Sequence, residues 1–455
     1  MLGAIFERFE KQSPISVMVR GLMERVFAPE TIDRIFEENA SSQYTRELLF
    51  SSLVELMSLV VCGIHPSVSA AYRAKTEEIN VSRTAVYDKL NGVETNVSSS
   101  IVRETAVPLA SLIEFVGGKS PQILSGYKIR ILDGNCLEKT DHRLEVLRTI
   151  AAGALPGKSL VVLDPELRLA INVFACEDGH AQERSMFSEV LKTVKEGELW
   201  IADRNMCTVG FLSGLYRSGA NFVIREHKSM PWEAINSLQG VGSVETGDLF
   251  EQTVSLSDAG KLLLMRRVVL KLKKPDRNGE NEIAILTMLP RESVTAAVIA
   301  QLYRERRSVE NLFQTVTENY ECQIQTLGYP KAALFSFCLA LVAHNILATV
   351  RGVLASVHGV GKIDAGLSDY YMVDEVQGTY RGMMIAIAPQ HWSVFANFEL
   401  SEFAKCLQDL ASRVDLKSFL KHTRAPKKKK DPPKYDPQHP HVSTAKLLKT
   451  TKKSP

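Results

Sequence analysis

The sequence predicts an α/β fold: a ribonuclease-H-like core interrupted by a β-rich insertion, with an all-helical N-terminal domain and a helical C-terminal region. Three observations carry that reading. Apolar residues recur at helical spacing through residues 1–118. Residues 127–226 run strand, strand, strand, helix, strand, helix, strand, and three strands followed by alternation is the order of such a core. A further strand-rich stretch, residues 227–290, then separates this order from a long amphipathic helix.

In the N-terminal region, RELLFSSLVELMSLVVCG (46–63) has apolar residues on a helical face and stops at Gly63 and Pro66. INVSRTAVYDKLNGV (79–93) offers Ser82 as an N-cap before a short helix carrying Arg83, Thr84, Tyr87 and Lys89. Basic and hydroxyl groups on the first two turns suit either a DNA groove or the polar face of a helical bundle.

YKIRILD (127–133) alternates and is expected to end on Asp133. SLVVLD (159–164) and LRLAINVFAC (167–176) flank Pro165-Glu166 as a hairpin. AQERSMFSEVLKTVKEG (181–197) reads as an amphipathic helix closed by Gly197, and ELWIAD (198–203) as a buried strand terminating on Asp203. A helix near 207–217 and the strand ANFVIRE (220–226) complete this first part of the core, residues 119–226. In the insertion, KLLLMRRVVLKLKK (261–274) and NEIAILTML (281–289) are strands joined through Pro275-Asp276-Arg277-Asn278-Gly279. Residues 291–350 return to the core as one helix from about Ser293 to Tyr320 and the helix after it, and helices continue over 351–420.

Composition narrows the class. The 455 residues can form several units, and 45% apolar with 24% charged content is that of an ordinary globular chain. From Lys421 to Pro455 there are eleven Lys and Arg against two Asp, a net of +9, so the rest of the chain sums to −6 of the total +3. This Pro/Lys-rich tail, 421–455, is expected to be disordered and, where it does more than solvate, to meet nucleic acid. The seven cysteines are scattered, with no CxxC and no zinc spacing, as in a reducing cytoplasm. MLGAIFERFEKQS lacks the long apolar run of a signal peptide. AALFSFCLALVAHNILATV (332–350) approaches membrane-spanning length, but His344 and Asn345 interrupt it, which favours a buried core helix and no membrane partner.

Three carboxylates stand out. Asp133 and Asp203 end strands that neighbour one another in such a sheet, and Glu310 lies on the following helix. Oxygen ligands so placed suit hard divalent cations in phosphodiester chemistry. At about 100° per residue, Val298, Leu302, Val309, Phe313, Val316 and Tyr320 form one apolar stripe, with Tyr303, Arg306, Glu310 and Thr317 beside it. Taken locally, Glu310 is either a metal ligand or the i,i+4 partner of Arg306. Glu138, Asp141, Asp164 and Asp178 read as loop and turn charges, and GALPGKS (153–159) misses the phosphate-loop pattern by its first glycine.

LDGN with Asp133, IADRN with Asp203 and Tyr303-x2-Arg306-x3-Glu310 together resemble the DDE core of the insertion-sequence-four family of bacterial transposases, whose signature is Tyr-x2-Arg-x3-Glu-x6-Lys. The resemblance spans roughly residues 127–350, with a β-rich insertion between the second aspartate and the glutamate. It implies two Mg2+ ions, replaceable by Mn2+, held by Asp133, Asp203 and Glu310. It implies cleavage of phosphodiester bonds at transposon ends and transfer of the 3′-hydroxyl ends into target DNA, in the bacterial cytoplasm and close to the nucleoid. The partners implied are terminal inverted repeats, target DNA and a second copy of the chain on DNA. Tyr303 and Arg306 are implied to bind phosphate near the cleaved end. The chain departs from the signature at Thr317, where the family has lysine; either Arg307 or Lys331 substitutes, or that phosphate contact is absent. Trp232, in the insertion, is either a stacking platform for a flipped base or a structural tryptophan. Arg83 and Lys89 complete the expected DNA contacts.

Overall fold

The computed structural model describes residues 2–43, 47–137, 144–148, 153–276, 279–318, 320, 327–422 and 440–451. Glu138 and Asp141 lie outside them. The N-terminal region holds α1 (Glu7–Gln12), α2 (Pro14–Val26), α3 (Pro29–Asn39), α4 (Phe50–Val61), α5 (Val68–Ala74), α6 (Arg83–Gly92) and α7 (Thr95–Phe115). Prolines open α2 and α3, where the missing N–H has no intrahelical partner to lose. Ser82 caps α6 by accepting the Ala85 N–H, as its position before the helix predicts.

Next come β1 (Lys128–Leu137), α8 (Glu145–Arg148), β2 (Gly153–Leu155), β3 (Gly157–Asp164), β4 (Leu169–Cys176), α9 (Phe187–Leu191), β5 (Glu198–Ala202), α10 (Val209–Arg217) and β6 (Asn221–Arg225). Residues 227–290 supply β7 (Trp232–Ala234), β8 (Gln239–Val244), β9 (Gly247–Asp258), β10 (Lys261–Leu272) and β11 (Glu282–Thr287). Helices then follow as α11 (Ala296–Arg304), α12 (Arg307–Glu318), α13 (Pro330–His358), α14 (Val360–Gly366), α15 (Asp369–Ala386), α16 (Pro389–Asn397) and α17 (Leu400–Ser412), and the chain closes on β12 (His441–Ser443) and α18 (Thr444–Thr451).

Ten strands form one mixed sheet in the order β4-β3-β1-β5-β6-β11-β10-β9-β7, with β8 also on β9. The β1–β5 and β5–β6 pairs are parallel and the others antiparallel. The insertion therefore extends the main sheet through β11 rather than building a second one. Apolar residues cover both faces, with α9 and α10 on one side and α7, α11, α12 and α13 on the other.

Several sequence expectations need correction. The helix over 181–197 shrinks to a 3-10 turn and α9, because the Thr193 N–H and hydroxyl both bond the Val190 carbonyl and tighten the chain. The helix over 293–320 is two helices. At the junction the amides of Glu305, Arg306, Ser308 and Val309 bond three residues back, and the Ser308 hydroxyl takes the Glu305 carbonyl. The expected stripe is only partly buried: Leu302, Val309, Val316 and Tyr320 are buried, whereas Val298, on the first turn of α11, is 36% exposed. Asp133 does not end its strand: β3 pairs with β1 as far as Leu137, although the parallel partner β5 stops at Ala202. Residues 440–451 of the tail are ordered, with β12 pairing parallel to β2, so the disorder expected over 421–455 does not extend to them.

Helix α13 crosses the expected boundary at 350 and is 94% buried over its most apolar 18-residue window, as a core helix should be. His344 and Asn345, which interrupt its apolar run, both have partners. Asn345 accepts the Ala170 N–H and donates to the Ala170 carbonyl, both at 2.8 Å, and the His344 ring lies 3.2 Å from the Arg168 carbonyl. The helix thus satisfies backbone groups on the edge strand β4 that a neighbouring strand would otherwise pair.

Candidate active site

Strand alternation aims the two aspartates at the same face. Ile129, Ile131 and Asp133 share one side of β1, and Leu199, Ile201 and Asp203 continue the matching side of β5. The parallel register Leu132↔Ala202 then makes Asp133 and Asp203 neighbours where the parallel pairing ends. Helix α12 packs against β1 and α13 through buried Val309, Leu312 and Val316, which brings Glu310 alongside.

Arg306 joins the three elements. Its Nη1 donates to Asp133 Oδ2 at 2.8 Å and its Nη2 to Glu310 Oε1 at 2.5 Å. The Tyr303 hydroxyl donates to Asp203 Oδ1 at 3.4 Å. Tyr303 is placed by α11, whose approach is tied to the sheet by buried Arg266. That guanidinium pairs with Glu251 and donates to the Leu289 and Val294 carbonyls just before the helix.

Burial raises the Asp133 carboxyl to about 6, against the lowering influence of Arg306 and the Gly134 N–H. The nearby charges of Asp203 and Glu310 push it the same way as burial. Burial also acts against the charge on Arg306, but Asp133, Tyr303 and Glu310 outweigh it and raise that group. The Tyr303 hydroxyl is pushed up to about 12, chiefly by burial and then by Asp203.

These groups border a cleft of about 1070 Å³ between α11–α12 and the end of the β10–β11 hairpin. Asp203, Tyr303, Arg306, Arg307 and Glu310 line it; Asp133 does not, and is reached through Arg306. Seven Arg and Lys side chains face four acidic ones around the cleft, a surplus suited to a polyanion. Sequence reasoning missed several of them: Arg204, Arg225, Lys273, Lys274 and Arg304. Arg204 and Arg225 are both paired with Glu280, which stands at the hairpin turn. The signals were present, since Arg204 follows Asp203 within IADRN and Lys273-Lys274 directly precedes the turn.

The other expected DNA contacts lie elsewhere. Lys331 is half-buried on the first turn of α13, outside the cleft lining. Arg83 is exposed on α6 and donates to Ser69 at 3.2 Å, whereas Lys89 lies 4.4 Å from the centre of the Phe36 ring. The Trp232 indole donates to Glu226 and Arg267 covers its ring at 4.9 Å, so this tryptophan is held within the insertion. Thr317 is exposed on the last turn of α12.

No preassembled cluster of three metal-binding side chains exists among the described residues. Arg306 stands between two of the three carboxylates and supplies the positive charge they share. The donor set of carboxylate oxygens nonetheless has the chemistry of a hard-cation site.

Residues 125–346 match the family model described as the transposase DDE domain. Residues 125–346 thus carry a transposase DDE domain. Its function is that of a DNA transposase, a metal-dependent phosphoryl-transfer enzyme. Asp133, Asp203, Tyr303, Arg306 and Glu310 all fall inside the matched span. Among solved structures, the transposase is similar to a chain in the cryo-EM structure of the piggyBac transposase synaptic complex with hairpin DNA. That similarity has a TM-score of 0.39 at 8% sequence identity, over 88% of this chain and 84% of the other. Curated proteins offer no match.

Proposed function

We propose that this transposase uses Asp133, Asp203 and Glu310 to hold divalent cations, two Mg2+ by preference with Mn2+ as substitute, for cleavage at transposon ends and 3′-end transfer. The observation that carries the reading is the single arginine reaching two of these carboxylates while Tyr303, three residues earlier, reaches the third. When bound, the cations supply charge neutralisation and activation of the attacking oxygen. Arg306, released from Asp133 and Glu310, then has its planar fork free for phosphate oxygens. Tyr303 keeps Asp203 oriented or donates to the same phosphate. Arg204, Arg225 and Arg307 hold the strand along the cleft, so binding depends strongly on salt.

The central strand order, with two antiparallel strands on one side of three parallel ones, supports a ribonuclease-H-like core over 119–226 and 291–350. The Tyr-x2-Arg-x3-Glu spacing supports membership of the insertion-sequence-four group. On this reading the enzyme acts as a homodimer joining two inverted-repeat ends, in the bacterial cytoplasm, with residues 1–118 and the basic tail as further DNA-holding parts.

The test is cleavage and strand transfer on DNA carrying the element's own ends in Mg2+, comparing wild type with Asp133→Ala, Asp203→Ala and Glu310→Ala. Each variant is expected to lose both steps. Strand transfer retained by any one of them removes that residue from the site. Cleavage without joining in wild type would make the chain a nuclease instead.

A further inference from the structure

A second cavity, of about 330 Å³, lies at the distal end of α12, between that helix, the start of α15 and residues Lys421 and His422. It does not belong to the catalytic cleft, but the same helix face serves both. Taking Arg307 as zero at about 100° per residue, Glu310, Asn311, Gln314, Thr315 and Glu318 fall within a sector of about 140°. Arg307, Glu310 and Asn311 line the catalytic cleft; Gln314, Thr315 and Glu318 line the second cavity. The two linings are therefore successive on one helix face, about 6 Å apart along its axis at four residues of rise.

The far wall is aromatic and basic. Tyr370 is 51% exposed, stands edge-on to Tyr371 at 5.5 Å, and Tyr371 in turn meets the His422 ring at 5.8 Å. This wall is built into the fold. The Ser368 N–H donates to the Phe419 carbonyl and the Lys421 N–H to the Gly366 carbonyl, pinning Lys421 and His422 beside the start of α15. The acidic groups around the cavity have partners: Asp369 pairs with Arg351, and Glu318 on α12 accepts from Gln314. Lys421 also begins the Lys-rich run of the C-terminal segment.

We propose that this cavity binds an unpaired nucleotide of the DNA strand held in the catalytic cleft, with its base stacked on Tyr370 and its phosphate beside Lys421. The proposal rests on the transposase reading, since the strand arrives from that cleft. Only an unpaired base presents its ring face to a side chain, and such stacking tolerates any base. The exposed ring of Tyr370, the Thr315 hydroxyl and a cation at the rim are the parts a nucleotide uses.

The experiment is fluorescence anisotropy with labelled (dT)20 and a blunt 20-base-pair duplex, in EDTA, on the full chain. Tyr370→Ala should weaken (dT)20 binding five- to hundredfold and leave duplex binding within twofold, while Tyr370→Phe, which keeps the ring, stays near wild type. Lys421→Ala should lower the slope of log K against log salt for (dT)20 by about 0.7. Unchanged (dT)20 binding in a folded Tyr370→Ala chain overturns the proposal. So does equal weakening of both probes, or a Tyr370→Phe chain as weak as Tyr370→Ala. The readout needs no metal and no chemistry, so it stays separate from the three alanine variants that test catalysis.

Discussion

Replacing Arg306 with alanine should make the metal-free transposase bind divalent cations more tightly, not less. In the structure its guanidinium makes two charged hydrogen bonds, to Asp133 at 2.8 Å and to Glu310 at 2.5 Å. Bonds to charged groups contribute about 1.5–3 kcal/mol each, and the lower end applies because the Glu310 side chain is 33% exposed. Loading the wild-type site therefore works against about 3 kcal/mol, equivalent to roughly a hundredfold in affinity. The assay is a Mn2+ titration of DNA-free protein, reading free Mn2+ by electron paramagnetic resonance at pH 8. At that pH Asp133, at about 6 beside Arg306 and higher without it, is largely ionised in wild type. Proton competition in the variant can only reduce the gain. Arg306→Ala should bind Mn2+ about a hundredfold tighter than wild type, with Arg307→Ala within threefold. An Arg306→Ala affinity at or below wild type would refute the idea that this arginine holds the place of the cation.

Three further outcomes follow from the geometry. Glu280→Gln releases Arg204, while Arg225 keeps Asp276 at 3.8 Å, and should raise duplex affinity three- to tenfold at 50 mM salt, by about one phosphate contact on the salt slope. Glu375 is raised to about 7 by burial, against hydrogen bonds from the Ser16 amide and hydroxyl. A folded-state value above the unfolded one means its contribution is full below about 4.3 and lost as pH rises through 7, so wild type should lose up to about 3 kcal/mol between pH 5 and 8 in urea unfolding, and Glu375→Gln much less. Gly118→Ala would set a methyl 2.2 Å from the Gly352 carbonyl of α13 and should destabilise the chain by about 1–3 kcal/mol in the same assay.

Strand alternation was legible wherever one face is buried: Ile129, Ile131 and Asp133 declare the inward side of β1 by composition alone. The three carboxylates were legible through their order and through the Tyr-x2-Arg-x3-Glu spacing. The break between α11 and α12 was not, because residues 304–307 are good helix formers and the Ser308 hydroxyl bonding three residues back leaves no mark on periodicity. Arg306 illustrates the limit of a local reading. Its i,i+4 pair with Glu310 is real, and so is its bond to Asp133, which lies 173 residues away in the chain. The cleft arginines were missed for the opposite reason, since Arg204 and Arg225 belong to strand ends and share an acid that only the sheet order brings to them.

The break carries one more consequence. Tyr303 rides on α11, which packs on β5, β6 and the insertion strands β8, β9 and β10, whereas Arg306 and Glu310 sit at or beyond the junction with α12, which packs on β1 and α13. The signature motif is thus split across a joint. Its tyrosine is placed by the insertion side of the sheet and its arginine and glutamate by β1 and α13, so Asp203 is tied to the insertion through Tyr303, while Asp133 and Glu310 are tied to each other through Arg306.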